Sequence, residues 1–367
     1  MARRSFLKNA AIGAGAGTIL AAPAIVKAQP TIRWRCSSGF PKALDTIFGA
    51  AEDCAKRVSE ATGGKFQITV AAAGEIVPMP QAADAVAAGT VECSHTAAFY
   101  YVGKDPTWAL GTCVPFGMNF RQMNAWWKEG GGEKLFNDWL APQGMRYLLG
   151  GNTGAQMGGW FRKEITSLED VKGLKMRIPG LGGRLWAAMG AVPQQIPGGE
   201  IYAALEKGTI DATEWVGPYD DEKLGFNKVA KFYYYPGFWE GGPQLSAIVN
   251  KTAWDSLSSE NKSIFQAAAW EAHVAMQAKY DAQNPVALRR LVAGGTQLKV
   301  FSNETLLACL KAANELYDET SQKNPLFKKV YESWRRFRTD QFQWFRTNEA
   351  AYDRFVNANL ATLPRRS

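Results

Sequence analysis

Histidine is almost missing from this chain of 367 residues: there are two, His95 and His273. Neither lies near the other or near a cysteine pair, so the usual nitrogen donors of zinc, haem and histidine-based acid–base sites are lacking. The five cysteines (Cys36, Cys54, Cys93, Cys113 and Cys309) are odd in number and show no CxxC spacing. A Cys54–Cys93 bridge is one arrangement, but the apolar contexts favour buried free thiols. The glycine-rich stretch 150–160 has neither a GK[ST] ending nor a GxGxxG pattern opening a helix, which argues against nucleotide binding. Its glycines suit a chain that crosses between lobes and approaches another backbone closely. Beyond residue 28 no apolar run reaches the roughly 20 residues that span a bilayer. Basic residues are spread along the chain and form no longer stripe than pairs such as Arg335-Arg336 and Arg365-Arg366, so nucleic acid is not an expected partner.

What is present begins with an export signal. Arg3-Arg4-Ser5-Phe6-Leu7-Lys8 forms a twin-arginine n-region, an apolar stretch follows to Ile25, and Ala28 stands at a plausible cleavage point. The apolar run of about 16 residues is too short for a membrane anchor. Residues 1–28 therefore read as a twin-arginine signal peptide, and the mature chain is expected to be a soluble periplasmic protein. The signal carries four basic residues and no acid, so its removal takes the formal net charge from +8 to +4.

From Ile32 onward, short strand patterns alternate with helical ones. Residues 32–36 read as a strand. Leu44, Ile47, Phe48, Ala51, Ala55 and Val58 repeat at helical spacing, and Phe66, Ile68 and Val70 alternate as a second strand. A helix at 81–88 and a strand at 91–96 follow, and the same grammar restarts near Met145. This predicts α/β lobes with largely parallel sheets. Gly74-Glu75-Ile76 ahead of a helix ended by Gly89 is echoed by Gly199-Glu200-Ile201 ahead of one ended by Gly208, which suggests two similar lobes. A long helix is expected from Ser259 to about Leu291, a last strand at 297–301, and helix from 303 to about 360. The final part carries Trp334, Phe337, Phe342, Trp344, Phe345, Tyr352 and Phe355. That is too much aromatic surface for a solvated tail, so it packs on its own lobes or on a second subunit.

Two segments carry candidate chemistry. In 173–180, Leu174, Met176 and Ile178 point one way and Arg177 the other, at a strand's carboxyl end before Pro179-Gly180. A guanidinium there can hold a carboxylate through two parallel hydrogen bonds, or simply form a surface salt bridge. In 211–222 and 233–243, Glu214-Trp215 and Trp239-Glu240 each set a carboxylate beside a tryptophan. Paired carboxylates can do acid–base work or bind a hard cation through oxygen. With no histidine, serine–histidine pair or activated cysteine nearby, a cation site with aromatic walls fits better. Asp220-Asp221-Glu222 reads as a solvated helix start.

Several of these stretches resemble one family. The runs 37–42, 103–108, 151–154, 193–195 and 205–226, with Gly173-Leu174-Lys175-Met176-Arg177, are similar to the periplasmic substrate-binding subunit of TRAP transporters, the DctP-like family. Residues 212–218 (Ala-Thr-Glu-Trp-Val-Gly-Pro) and 239–243 (Trp-Glu-Gly-Gly-Pro) resemble its 2-oxo acid (pyruvate)-binding branch. The resemblance implies a two-lobed periplasmic binding protein fold with a hinge and a long C-terminal helical extension. Lobe I would comprise 29–152 and 243–282, lobe II 153–242 and 283–340, and residues 341–367 the extension, which can act as a dimerisation helix. It implies that Arg177 clasps the substrate carboxylate and that Gln156 contacts ligand and metal together. Glu214, the Trp215 carbonyl and Glu240 would hold a cation, sodium first and calcium as the alternative. Phe40, Tyr100 and Tyr101 are first-lobe candidates for substrate contact. The partners would be a small carboxylate, the TRAP membrane subunits and, through the C-terminal helix, a second copy of the chain. Two other readings stay open: a receptor of this family for lactate or another organic acid, and a cation-dependent periplasmic lyase acting on keto acids.

Overall fold

The structure, a computed structural model, describes residues 31–360; the expected signal at 1–28 lies outside the described residues. Two mixed sheets organise the chain. The first contains β1 (Ile32–Ser38), β2 (Phe66–Ala71), β3 (Cys93–Thr96), β4 (Met145–Asn152) and β10 (Gln244–Asn250), in the order β2-β1-β3-β10-β4. The second contains β5 (Gly159–Phe161), β6 (Lys175–Arg177), β7 (Val192–Gln194), β8 (Ala212–Thr213), β9 (Phe232–Tyr235) and β11 (Gln297–Val300), in the order β11-β9-β5-β8-β6-β7. Each sheet has one strand that runs against its neighbours: β10 against β3 and β4, and β5 against β8 and β9. Strand–helix alternation does not announce these reversals, and connectivity explains them. β5 and β10 are the strands the chain enters immediately after crossing from the other half. A chain arriving from the cleft enters at the carboxyl end of the parallel strands and must run the opposite way.

The helices follow from local pattern. Leu44, Ile47, Phe48, Ala51 and Val58 are buried along α1 (Gly49–Ala61) and the turn before it. α2 (Ala82–Ala87) and α7 (Ile201–Glu206) both follow a 3₁₀ turn and end before a glycine of positive φ, Gly89 and Gly208. The predicted repeat of a glycine-ended helix is therefore present, but the Gly-Glu-Ile echo is not part of it. Gly199-Glu200 lies in the 3₁₀ turn, whereas Gly74 precedes its turn by several residues. Residues 97–144, which strand–helix alternation leaves unassigned, form α3 (Ala109–Thr112), α4 (Phe120–Lys128) and α5 (Gly132–Leu140). α4 opens on a capping box between Asn119 and Gln122. α6 (Gly180–Ala188), α8 (Pro218–Leu224) and α9 (Lys251–Asp255) are short. α10 (Ser259–Ala293) has 35 residues and packs on α1 and β4 of the first half and on α8 of the second.

The C-terminal helices divide between the halves. α11 (Asn303–Lys323) packs on α6, while α12 (Pro325–Thr347) lies against α3, α4 and α5. The chain thus returns to the first half at Asn324, ahead of the expected boundary at 340. Phe327, Val330, Tyr331 and Trp334 are buried there, but Trp344 (56% exposed) and, on α13 (Glu349–Ala358), Tyr352 and Phe355 (68% and 71%) face outward. All five cysteines are buried and free. Both histidines are structural: His95 Nε2 meets the Gly150 carbonyl (3.1 Å) and His273 Nδ1 that of Gly151 (2.7 Å), fixing the end of β4.

Asp220 and Asp221 overturn the expectation of a solvated helix start. Both are buried, because the first turn of α8 faces inward against α10. Asp220 accepts from Thr46 Oγ1 (2.5 Å) and Tyr280 OH (2.6 Å). Asp221 accepts from Trp160 Nε1 (2.9 Å), Tyr233 OH (2.7 Å) and the amides of Val216 and Gly217. Only Glu222 stays near the surface, paired with Arg290. Burial pushes Asp221 up to about 7 and Asp220 to about 6, against the pull of their donors. A carboxyl whose pKa rises on folding stabilises the fold when protonated. That contribution is present below the unfolded value near 4 and declines as pH rises towards 7. Asp221→Asn sets an amide NH₂ against two of the four donors and should cost about 1–3 kcal/mol. Thermal unfolding of the wild type and variant should show that gap narrowing from pH 5 to pH 8; a gap that widens would contradict the burial argument.

Candidate functional site

The carboxyl ends of the strands in both sheets meet at one cleft, where ligands of open α/β folds bind. Arg177 is the last residue of β6, in register with Thr213 of β8, so Glu214 emerges next to it. The Glu214 amide donates to the Arg177 carbonyl (3.2 Å). The Arg177 side chain is 2% exposed, not a surface group. Its Nη1 pairs with the Glu214 carboxylate, Nε donates to the Ile196 carbonyl (3.0 Å), and the guanidinium lies 5.2 Å from the centre of the Trp215 ring.

Two crossing segments complete the cleft. The 154–158 segment runs beside 236–240: Gln156 N donates to Glu240 O (3.1 Å) and Gly237 N to Gln156 O (3.0 Å). A Cβ on Gly237 would lie 2.6 Å from the Met157 carbonyl, so glycine is required where the backbones touch. The glycine-rich stretch thus approaches the protein's own second crossing. This pairing places Gln156 and Glu240 together beside Glu214. Gln156 Nε2 donates to Thr153 Oγ1 (3.1 Å), while its Oε1 is buried without a partner.

The electrostatics are unbalanced. Burial pushes Glu214 up to about 7 against the pull of Arg177, with Asp221 adding to the push. Glu240 is raised well above the carboxylate range, by burial first and by Glu214 second. Burial opposes the Arg177 charge, but Glu214, Tyr100 and Glu240 outweigh it and hold the pKa above its usual value. Two carboxylates and an orphaned amide oxygen are oxygen donors of the kind that suits a hard cation. Among the described residues no cluster of three or more histidine, cysteine or acidic side chains could hold a metal. Amide and backbone oxygens would therefore have to supply the rest of the shell.

The other half contributes an apolar wall of Phe40, Ile47, Phe99 and Leu245, with Tyr100 beside Arg177; the cavity measures about 20 Å³. Phe40 and Tyr100, both expected from the first lobe, line this cavity. Tyr101 does not: its hydroxyl bonds Thr96 Oγ1 (3.2 Å) and its ring packs on Trp108. Residues 98–101 form a 3₁₀ turn, whose three-residue period puts Tyr100 on the side of Ala97 and turns Tyr101 away. That period was the signal available for Ala97. Ile47 and Leu245, which also line the cavity, carry no motif, whereas Thr153 and Val216 fall within the runs 151–154 and 212–218.

Two α/β halves facing one another across a cleft that buries an arginine beside two carboxylates define a two-lobed solute receptor. The chain belongs to family 7 of the bacterial extracellular solute-binding proteins, the DctP family, whose pattern matches residues 37–324. It is 49% identical over 364 residues, 98% of this chain and 100% of the relative, to a monocarboxylate 2-oxoacid-binding periplasmic protein of Nostoc sp.. A TRAP transporter solute-binding protein from Bordetella bronchiseptica superposes with a TM-score of 0.90 at 48% identity, covering 91% of this chain and 99% of that one. It is a mixed-occupancy dimer with copurified calcium and picolinate in one active site and the other apo. One from Pseudoalteromonas atlantica, with bound sodium and pyruvate, superposes with a TM-score of 0.85 at 36% identity, covering 88% and 98%.

The Glu240 carboxylate has no hydrogen-bond or ion-pair partner among the described residues, so its ionisation weakens the cation-free fold. In the presence of chelator at pH 8, Glu240→Gln should unfold at a higher temperature than the wild type, by about 1 kcal/mol or more in stability. The gain should shrink at pH 6. A variant less stable than wild type at pH 8 would contradict this reading of the charge.

Proposed function

We propose that the protein is a periplasmic receptor that binds a 2-oxo monocarboxylate, pyruvate or a longer 2-oxo acid, with a cation, for delivery to a TRAP-type secondary transporter. The observation that carries this is the buried Arg177 beside Glu214, Glu240 and the orphaned Gln156 oxygen. Arg177 binds and orients the ligand carboxylate through its planar donors. The cation is held by Glu214, Glu240, Gln156 Oε1 and the Trp215 carbonyl, and it supplies positive charge to the carboxylate and keto oxygens. Arg177 is the single cationic side chain among the described residues lining the cavity, which favours a monocarboxylate over a dicarboxylate. The wall of Phe40, Ile47, Phe99 and Leu245 suits a short aliphatic tail.

Sodium is the first reading for the cation and calcium the second. Arg177, Glu214, Glu240 and a monoanion together carry −2, which sodium reduces to −1 and calcium to zero, so charge balance favours calcium. A receptor, and not a lyase, is the reading that the solute-binding family and the related TRAP solute-binding structures support. Export by the twin-arginine route rests on Arg3-Arg4 and the apolar stretch after them. Dimerisation through the C-terminal helices is supported by the outward-facing Trp344, Tyr352 and Phe355 and by the dimer of the Bordetella relative.

A thermal-shift screen across 2-oxo, 2-hydroxy and dicarboxylic acids with cation present tests the ligand class. Pyruvate and 2-oxobutyrate should stabilise the protein most, and stabilisation only by dicarboxylates or amines would refute the assignment. Arg177→Lys keeps the charge but loses the fork, so the midpoint without ligand should hold while pyruvate affinity falls about 10–100-fold. Retained affinity would remove Arg177 from the site. For the dimer, Trp344→Glu with Phe355→Glu should give a monomer in light scattering where the wild type gives a dimer; a wild-type monomer would end that part of the proposal.

A further inference from the structure

Five acidic or basic side chains of Asp, Glu, Lys or Arg are buried among the described residues: Arg177, Glu214, Glu240, Asp220 and Asp221. The first three line the cavity. The two neighbouring aspartates of α8 differ in a way that the cavity does not explain. Every partner of Asp221 (Trp160, Tyr233 and the amides of Val216 and Gly217) belongs to its own half of the molecule. Both partners of Asp220 come from elsewhere. Thr46 lies between β1 and α1 of the first half, and Tyr280 lies on α10, the helix that packs on both halves.

Around this pair of hydroxyls the same two segments make a rim. Asp45 pairs with Lys223 of α8 and with Lys279 of α10 (2.6 Å), and the Tyr219 hydroxyl donates to Asp45 (3.3 Å). The rim is half exposed, so its ion pairs are screened. Asp220 is fully buried, with no cation in hydrogen-bond reach, and two short hydroxyl donors are its whole solvation. Across the cleft the halves meet differently, through Gly180 against Phe99 and Arg184 against the Val102 carbonyl. Those contacts bury no carboxylate. Parting the halves at α8 would therefore remove a hydrogen-bond donor from a carboxylate that has no other substitute than water.

We propose that Asp220 is the closure latch of the receptor: by accepting from Thr46 and Tyr280 it holds the halves together and sets ligand affinity and release without touching the ligand. The inference rests on the reading of the protein as a two-lobed receptor that closes on its ligand. Neither Thr46, Asp220 nor Tyr280 lines the cavity, although Ile47, the residue after Thr46, does. A contact made only when closed raises apparent affinity by raising the population of the binding-competent state.

Thr46→Val, which keeps shape and removes the hydroxyl, tests this beside Thr46→Ser, which restores it. Two measurements are made: pyruvate affinity and release with calcium present, and the distance between spin labels at Lys65→Cys and Lys207→Cys. Those sites are exposed, one on each half, and the native thiols are buried. Thr46→Val should weaken pyruvate binding about tenfold, mainly through faster release, and shift the ligand-free distances towards longer values. Thr46→Ser should return both to wild type; the unfolding midpoint should fall modestly in Thr46→Val, which leaves a buried carboxylate short of one donor, and recover in Thr46→Ser. Unchanged distances and affinity in Thr46→Val, or a loss that Thr46→Ser does not restore, would overturn the latch. If the wild type does not bind pyruvate, the ligand assignment fails and the label distances alone decide the latch.

Discussion

The cleft holds Arg177, Glu214 and Glu240 out of water, one positive group against two carboxylates, with an amide oxygen left unpaired beside them. Isolated buried charge is costly, and a protein resolves it by pairing, by shifting a pKa or by binding an ion. Much of the surrounding structure serves to hold this set in place. β6 and β8 run in parallel so that Arg177 and Glu214 leave adjacent strand ends, and the two crossing segments lie backbone to backbone so that Gln156 and Glu240 are delivered to the same spot. His95 and His273, both pulled down to about 4 by burial and so neutral, fix the end of β4 from which the first crossing departs.

The imbalance also gives the site its chemical preference. A solute that brings a second negative charge alone would worsen it, whereas a solute and cation together reduce it. A co-bound cation would offset the imbalance, and relatives of known structure carry calcium with picolinate or sodium with pyruvate in folds that superpose closely. The first half contributes little charge to the cleft. Its wall is Phe40, Ile47, Phe99 and Leu245, so the charged groups sit on one side of the cavity and an apolar wall on the other.

Much of this was readable from the chain. The alternation of patterns implied two α/β halves, and Arg177 at a strand end before Pro179-Gly180 marked the cleft. The paired Glu-Trp segments marked the acidic groups and a cation site, although it took the family resemblance to add Gln156 and to name the cation. What was not readable depended on long-range placement. Asp220 and Asp221 look like a polar helix start, because their hydroxyl and indole donors come from Thr46, Tyr280, Trp160 and Tyr233, far away in sequence. Tyr101 shares its neighbour's composition, and only the period of a 3₁₀ turn separates the two. The reversed strands β5 and β10 follow from where the chain crosses, which no local pattern records.

The central claim is that anion and cation bind as one charge-balanced set. Calorimetric titration of pyruvate into the protein, with calcium, with sodium and with chelator in a cation-free buffer, tests it most directly. The account predicts tight binding with one or both cations and a large loss of affinity without them, reciprocated by weaker cation binding in the absence of pyruvate. Pyruvate binding of equal strength in all three solutions would contradict it.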